Sequence, residues 1–202
     1  MAKRLFDLIG AVAGLVLLAP LLLGIALWIK LDSRGPVFFR QQRVGRFGVP
    51  FRIHKFRTMI DDTRADGPVP GLQLTVGADP RITRAGRLLR AAKLDELPQL
   101  LDVLAGTMSL VGPRPEVPRY VAMYPPALRD KVLSLRPGIT DPASIEYRDE
   151  SRLLARAVDP EQAYIEQVMP AKLAHAVRYV DHRSLLGDLR VIGATLRALW
   201  TR

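Results

Sequence analysis

From residue 8 to residue 29 the chain reads LIGAVAGLVLLAPLLLGIALWI, 22 positions without a charge. A run of about 20 apolar residues is long enough to cross a bilayer. Pro20 stands near its middle, where it removes a backbone donor and crowds the preceding turn. The halves on either side are roughly 10–12 residues, each about 15–18 Å long as helix. Two shapes are open: a kinked span, or a helix–break–helix that enters and leaves by one face. Lys3 and Arg4 precede the run, and Lys30, Arg34, Arg40, Arg43 and Arg46 follow it. Lys and Arg mark cytoplasmic flanks, so basic residues at both ends suit the second shape. Proline is tolerated in spanning helices, which suits the first. Gly10, Gly14 and Gly24 would let other helices approach closely. A cleaved signal peptide does not fit, because the run is too long and no small-residue cleavage site follows it.

After the run the pattern changes. Residues 36–60 predict a β-hairpin, with Val37, Phe38 and Phe39 opening one strand and Phe51, Ile53 and Phe56 the other. Gly45, Phe47, Gly48 and Pro50 supply the turn between them. Residues 61–80, rich in Gly, Pro and Asp, read as a mobile loop. Helical periodicity returns at Ile82, with Leu88, Leu89 and Ala92 apolar and Arg84, Arg87, Arg90 and Lys93 on a basic face. A second helix is predicted from Asp95 to Leu104, stopped by Gly106. Gly112-Pro113-Arg114-Pro115 reads as rigid and extended. Residues 117–134 read as helical with an interruption at Pro125-Pro126, and residues 160–180 as helical again. The last segment, 184–202, gathers Leu185, Leu186, Leu189, Ile192, Leu196 and Leu199 on one side. Trp200 and its arginines suit a headgroup layer, so an interfacial helix is favoured over a core one. The expected fold is α+β and mainly helical. An N-terminal membrane segment (1–34) precedes a small domain (35–202) holding the hairpin and amphipathic interfacial helices.

Composition narrows the partners. The 202 residues carry a formal charge of +10 and no cysteine. Disulfides and thiolate metal sites are excluded, and a reducing compartment is compatible. The basic excess calls for an anionic partner. Beside so apolar a run, anionic lipid and phosphate fit better than nucleic acid, for which no binding motif is present.

Chemistry concentrates in Leu94-Asp95-Glu96-Leu97-Pro98-Gln99. Those residue types also suit a plain helix start: Asp as N-cap, Glu in the first turn, Pro tolerated there. The same geometry would keep Asp95 ionised, beside backbone N–H groups able to hold a phosphate. An ionised carboxylate at a phosphate site is a possible nucleophile. Two adjacent carboxylates would repel a diphosphate, and Mg²⁺, held by one or two carboxylates plus substrate phosphates, would resolve the conflict. Glu96 is then the ligand if Asp95 attacks. Arg90, Lys55, Arg57 and Arg114 are candidate phosphate contacts, although each taken alone better suits a solvated surface. His54, His175 and His182 show no metal-ligand spacing.

Several blocks recur together: the apolar run with its central proline, Gln41-Gln42-Arg43-x-Gly45, Lys55-Phe-Arg-Thr-Met59, Leu94-Asp-Glu-Leu-Pro-Gln99, Gly106-x-Met-Ser-x-Val-Gly-Pro-Arg-Pro115 and Arg136-Pro-Gly-Ile-Thr140. In that order they resemble the bacterial sugar transferases, monotopic phosphoglycosyl transferases that start glycoconjugate assembly on polyprenol phosphate. The resemblance implies a re-entrant helix broken at Pro20, at the cytoplasmic face of the bacterial inner membrane. It implies transfer of a sugar phosphate from a UDP-sugar to undecaprenyl phosphate, release of UMP and a need for Mg²⁺. It assigns the nucleophile to Asp95, with Glu96 and Arg90 beside it. The nucleotide end falls to Pro113, Arg114 and Pro115, and Lys55, Arg57 and Arg136 are expected on substrate. A single-step metal-dependent transfer and a non-catalytic basic scaffold are the alternatives. A homo-oligomer is left open. Two departures stand out. Ala19-Pro20 replaces a common Ser-Pro pair, and Asp141-Pro142-Ala143-Ser144-Ile145-Glu146-Tyr147 replaces the usual Gly followed by an Ala-Gln pair. The second bears on sugar identity.

Overall fold

The computed structural model describes residues 1–60, 74–77 and 79–200. Helix α1 (Ala2–Asp32) is the longest element and carries Pro20 inside it. The break expected at Pro20 is therefore absent from the backbone. Proline forfeits one hydrogen bond and bends a helix, but the packed turns on either side hold the helical path. On its inner side Ala11 joins a buried cluster with Ile53, Leu100, Val103 and Met108. Further along, Ile25 and Ile29 join another with Phe56, Ala85 and Leu89. The opposite side leaves Leu5, Ile9, Val12, Val16, Leu23, Leu27 and Leu31 exposed, spaced as one helix face. Only 11% of the most apolar stretch is buried. An open apolar face of that extent marks a surface meant for lipid or a partner.

Both ends of α1 are tied to the same body. At the start, Arg4 donates to the Val103 carbonyl at 2.7 Å. Lys3 bridges Asp7 at 2.8 Å and Asp188 at 3.0 Å, and Asp7 accepts from Ser109 Oγ at 2.9 Å. At the finish, Asp32 accepts from the Ala85 N–H at 3.0 Å.

The predicted hairpin is present. Strands β1 (Phe38–Val44) and β2 (Pro50–Phe56) pair antiparallel, with Arg40 opposite His54. Phe47, at φ +58°, turns the chain between them. Helix α2 (Arg84–Ala91) is capped by Thr83, whose hydroxyl accepts from the Gly86 N–H at 2.9 Å. A short 3₁₀ turn, Leu94–Glu96, leads into α3 (Gln99–Ala105), which ends at Gly106 with φ +84°. This corrects the expected helix start at Asp95. Pro98 has no N–H to give and a fixed φ, so it occupies the cap and the helix begins after it. Strand β3 (Ser109–Val111) pairs in parallel with β4 (Gly138–Thr140), Ser109 opposite Gly138. That pair was not foreseen.

The remainder is helical. α4 (Pro118–Val121) and α5 (Pro126–Leu133) flank the expected interruption at Pro125-Pro126. α6 (Pro142–Glu146), α7 (Glu150–Leu154) and α8 (Pro160–Ala163) follow. A wide π-type turn, Tyr164–Val168, joins α8 to α9 (Met169–His182). Here Tyr120, Leu154, Tyr164 and Val168 belong to a third cluster, and Val132, Leu173 and Ala176 form a fourth between α5 and α9. The final helix, α10 (Leu185–Trp200), exposes Leu185, Leu186, Leu189, Leu196 and Trp200. Most of the loop predicted over residues 61–80 lies outside the described residues.

Candidate active site

Glu96 is the hub. Its carboxylate accepts from Lys55 Nζ at 2.8 Å and from Arg114 Nη1 at 3.1 Å, while Arg114 Nη2 bonds its other oxygen. The hairpin supplies Lys55, which shares a face of β2 with Ile53 because side chains alternate along a strand. The stiff segment after β3 supplies Arg114, flanked by prolines. The 3₁₀ turn supplies Glu96, entered through Lys93 at φ +57°. Such a conformation costs about 1–2 kcal/mol for a residue with a Cβ, and strain of this kind gathers at functional sites. Burial pushes the Glu96 carboxyl up, but Arg114 and Lys55 prevail and hold it well below the usual carboxylate range. In return Glu96 raises the Arg114 guanidinium. Lys55 is pushed down by burial, against the pull of Glu96.

Asp95 has a different environment. The residue keeps 8% of its surface, and its Oδ1 is buried without a hydrogen-bond partner. Burial raises its carboxyl, opposed by Lys55 and assisted by the neighbouring Glu96. Leaving a buried acceptor unsatisfied costs about 1–3 kcal/mol. An orphan of that kind in a native fold calls for an explanation such as a catalytic role. Asp95 belongs to none of the apolar clusters. The charges acting on it are Lys55, Glu96, Arg90 and Lys93.

Those four residues line one cavity of about 750 Å³. Its walls are of two kinds. Arg43, Lys55, Arg90, Lys93 and Arg114 make one basic, partly offset by Glu96, Glu116 and Glu150. Gly10, Gly14 and Leu18 of α1, with Ile192, Leu196 and Leu199 of α10, make another apolar. Asp95 precedes the lining residue Glu96 in the chain and feels the charges of the lining residues Lys55, Arg90 and Lys93.

The structure brings together Asp95, Glu96, Arg90, Lys55, Arg114 and Pro115. Pro113 falls in a smaller neighbouring pocket that Arg114 also touches. Two expected substrate contacts stand elsewhere. Arg57 is buried and donates to the carbonyl of Ser33 at 2.8 Å and to that of Arg34, clamping the end of α1. Arg136 donates to the Gly106 carbonyl at 2.7 Å, closing the end of α3. Conversely, Arg43, Gln99, Arg148 and Lys172 line the cavity without having been singled out for it. Arg43 and Gln99 lay inside motifs already noted, but Gln99 reads as an ordinary helix residue. Arg148 and Lys172 gave no signal. His54, unassigned from sequence, pairs with buried Asp102 at 2.7 Å. His175 pairs with Glu146 at 2.9 Å.

Among the described residues no group of three or more His, Asp or Glu side chains is gathered for a metal. A cation held mainly by substrate phosphates needs fewer. The orphaned Asp95 Oδ1 and the adjoining Glu96 carboxylate match the one or two carboxylates that Mg²⁺ takes beside phosphate oxygens.

Fold and site together define a protein with one long, lipid-compatible helix and a cavity that is cationic on one wall and apolar on another. The chain belongs to the bacterial sugar transferase family, whose sequence profile matches residues 1–202. It is 40% identical to a UDP-glucose:undecaprenyl-phosphate glucose-1-phosphate transferase of Caulobacter vibrioides, over 98% of this chain and 70% of that protein. It is 35% identical to a UDP-N-acetylgalactosamine-undecaprenyl-phosphate N-acetylgalactosaminephosphotransferase of Aeromonas hydrophila, over 98% of this chain but 44% of that protein. It is 38% identical to the exopolysaccharide production protein PSS of Rhizobium leguminosarum bv. phaseoli, over 99% of this chain and 96% of that protein.

Proposed function

We propose that this chain is a membrane-bound enzyme that moves a sugar phosphate from a UDP-sugar to undecaprenyl phosphate and releases UMP. The names of its relatives support the reaction. The observation that carries the reading is the two-walled cavity beside Asp95 and Glu96. A nucleoside diphosphate fits the cationic wall, where Arg forks bind phosphate oxygens. A polyprenyl chain fits the apolar one. α1, tied at both ends to one body and apolar along its outer face, supports a monotopic placement at the cytoplasmic face of the inner membrane. A helix crossing the bilayer would carry its far end about 30 Å away.

In the proposed chemistry the Asp95 carboxylate turns toward the cavity and attacks the β-phosphorus of the UDP-sugar. An Asp95 O–P bond forms, and the bond from that phosphorus to the bridging oxygen breaks, so UMP leaves with the electron pair. An oxygen of undecaprenyl phosphate then attacks the same phosphorus. The Asp95 O–P bond breaks and the carboxylate is regenerated. Arg90, Arg114 and Lys55 hold phosphate oxygens as charge shifts, and their fixed positions avoid reorganisation during the step. Glu96 keeps Lys55 and Arg114 in place. Glu96, together with the substrate phosphates, would hold Mg²⁺, whose charge would neutralise the diphosphate.

The test is UMP release by the purified protein in detergent, with a panel of UDP-sugars, Mg²⁺ and undecaprenyl phosphate. At least one sugar is expected to react, and Asp95→Asn to abolish the release. Intact-mass measurement with UDP-sugar and no acceptor should show the parent heavier by one sugar phosphate. Turnover without that adduct would favour a single-step transfer. A parent inert toward every sugar would leave the non-catalytic scaffold.

A further inference from the structure

Among the described residues, four polar side chains lining the cavity have buried hydrogen-bonding atoms with no protein partner: Arg43, whose Nη atoms are already held by Gln41, Pro115 and Glu116, and Gln99, Ser144 and Arg148. Gln99 is 1% exposed, yet neither its Oε1 nor its Nε2 is bonded. Ser144 Oγ is buried and unpartnered, while the backbone N–H of the same residue is held by Asp141 at 2.6 Å. Arg148 spends one terminal nitrogen on the Ala198 carbonyl of α10 and keeps Nη2 buried and free. Each unmet group costs about 1–3 kcal/mol in a sealed interior. A fold retains several around one cavity when something else completes them.

The chemistry of Gln99 and Ser144 differs from that of the cationic wall, whereas Arg148 adds one more donor beside them. The Gln99 amide has both donor and acceptor capacity, and so does the Ser144 hydroxyl. A phosphate, which only accepts, would satisfy half of each. A ring of hydroxyl groups, each able to give and take a bond, satisfies both. The position also suits a sugar. Gln99 begins α3 three residues after Glu96, next to the reacting phosphate of the proposed mechanism. Ser144 and Arg148 line the same cavity as Gln99, Glu96 and Arg114. Ser144 further lies in the stretch where this chain departs from the common family pattern.

We infer that Gln99, Ser144 and Arg148 form the subsite that holds the pyranose ring of the UDP-sugar and select it by its hydroxyl pattern. The inference rests on the proposed reaction and deepens it. The experiment uses full-length protein in detergent with UDP-glucose, UDP-galactose, UDP-N-acetylglucosamine and UDP-N-acetylgalactosamine. Parent, Ser144→Ala, Ser144→Gln and Gln99→Leu are compared for UMP release, for inhibition by UDP without a sugar, and for KM toward undecaprenyl phosphate. Melting curves confirm folding, and Ser144→Ala, the mildest change, remains informative should Gln99→Leu unfold. The expected result is a loss of about fivefold or more in kcat/KM on the best sugar for each folded variant. The ranking of sugars should change in Ser144→Gln, and inhibition by UDP should hold within twofold. Equal weakening of UDP and UDP-sugar would place these residues on the nucleotide and overturn the inference. So would a change confined to the KM for undecaprenyl phosphate, or no change at all. A parent inert toward all four sugars would instead remove the underlying reaction, and the subsite with it.

Discussion

At the residue scale, the ion cluster makes a sharp demand. Arg114→Ala leaves Glu96 with Lys55 alone. Removing one partner of a fully buried pair costs about 3–5 kcal/mol. Arg114 keeps 31% of its side chain exposed, so a loss of about 2–3 kcal/mol is expected by chemical denaturation in micelles. The acid limb of stability should move as well. The fold holds Glu96 below its ordinary 4.5, so the cluster contributes fully above that pH and is lost as the pH falls further. Glu96→Gln should flatten that limb. Arg57 behaves differently. Arg57→Ala is expected to cost about 2–3 kcal/mol through carbonyls left without a donor, yet to leave the KM for UDP-sugar within twofold. The sequence offered Lys55 and Arg57 as equals, because residues two apart on a strand share a face. Strand β2 ends at Phe56, so the alternation does not reach Arg57. Asp95, Glu96, Arg90 and Arg114 were legible because carboxylates and arginines gather in short motifs. Gln99, Ser144 and Arg148 were not, since an orphaned atom exists only once neighbours have packed.

At the element scale, close approach separates two glycines. A Cβ on Gly86 of α2 would stand 2.0 Å from the Thr58 carbonyl oxygen, whereas one on Gly24 of α1 meets nothing within 4 Å. Gly86→Ala should destabilise by about 2–3 kcal/mol through overpacking. Gly24→Ala should be neutral or gain about 0.5–1 kcal/mol, since glycine is the weaker helix former. Thermal melting of both variants reads the contrast. The hairpin was legible from its turn glycines and alternating aromatics, and the α4–α5 break from Pro125-Pro126. The β3–β4 pair was not, because three-residue strands carry no periodicity and their pairing depends on residues about 30 apart. Pro20 misled in the other direction. Its local preference is to interrupt, but α1 is packed on both sides of it against β2, α2 and α3.

At the scale of the whole molecule, topology can be read with cysteines, of which the chain has none. Ala2→Cys and Arg34→Cys should react with an impermeant thiol reagent from the same side of sealed vesicles. Reaction from opposite sides would restore a simple span and break the proposed placement. The exposed leucines of α1 and the Leu185–Trp200 face of α10 lie on the two elements that also line the apolar cavity wall. Sequence alone had suggested two greasy segments at the ends of the chain. Only the fold shows that they enclose a common space.

The two-walled cavity has a kinetic corollary. An enzyme that draws one reactant from water and the other from a film of lipid responds to two different concentrations. Raising total detergent at fixed undecaprenyl phosphate dilutes the acceptor within the micelle surface without altering its amount per millilitre. Turnover should fall accordingly, while the dependence on UDP-sugar keeps its ordinary bulk form. Such surface-dilution behaviour would show the protein working as a catalyst of the phase boundary.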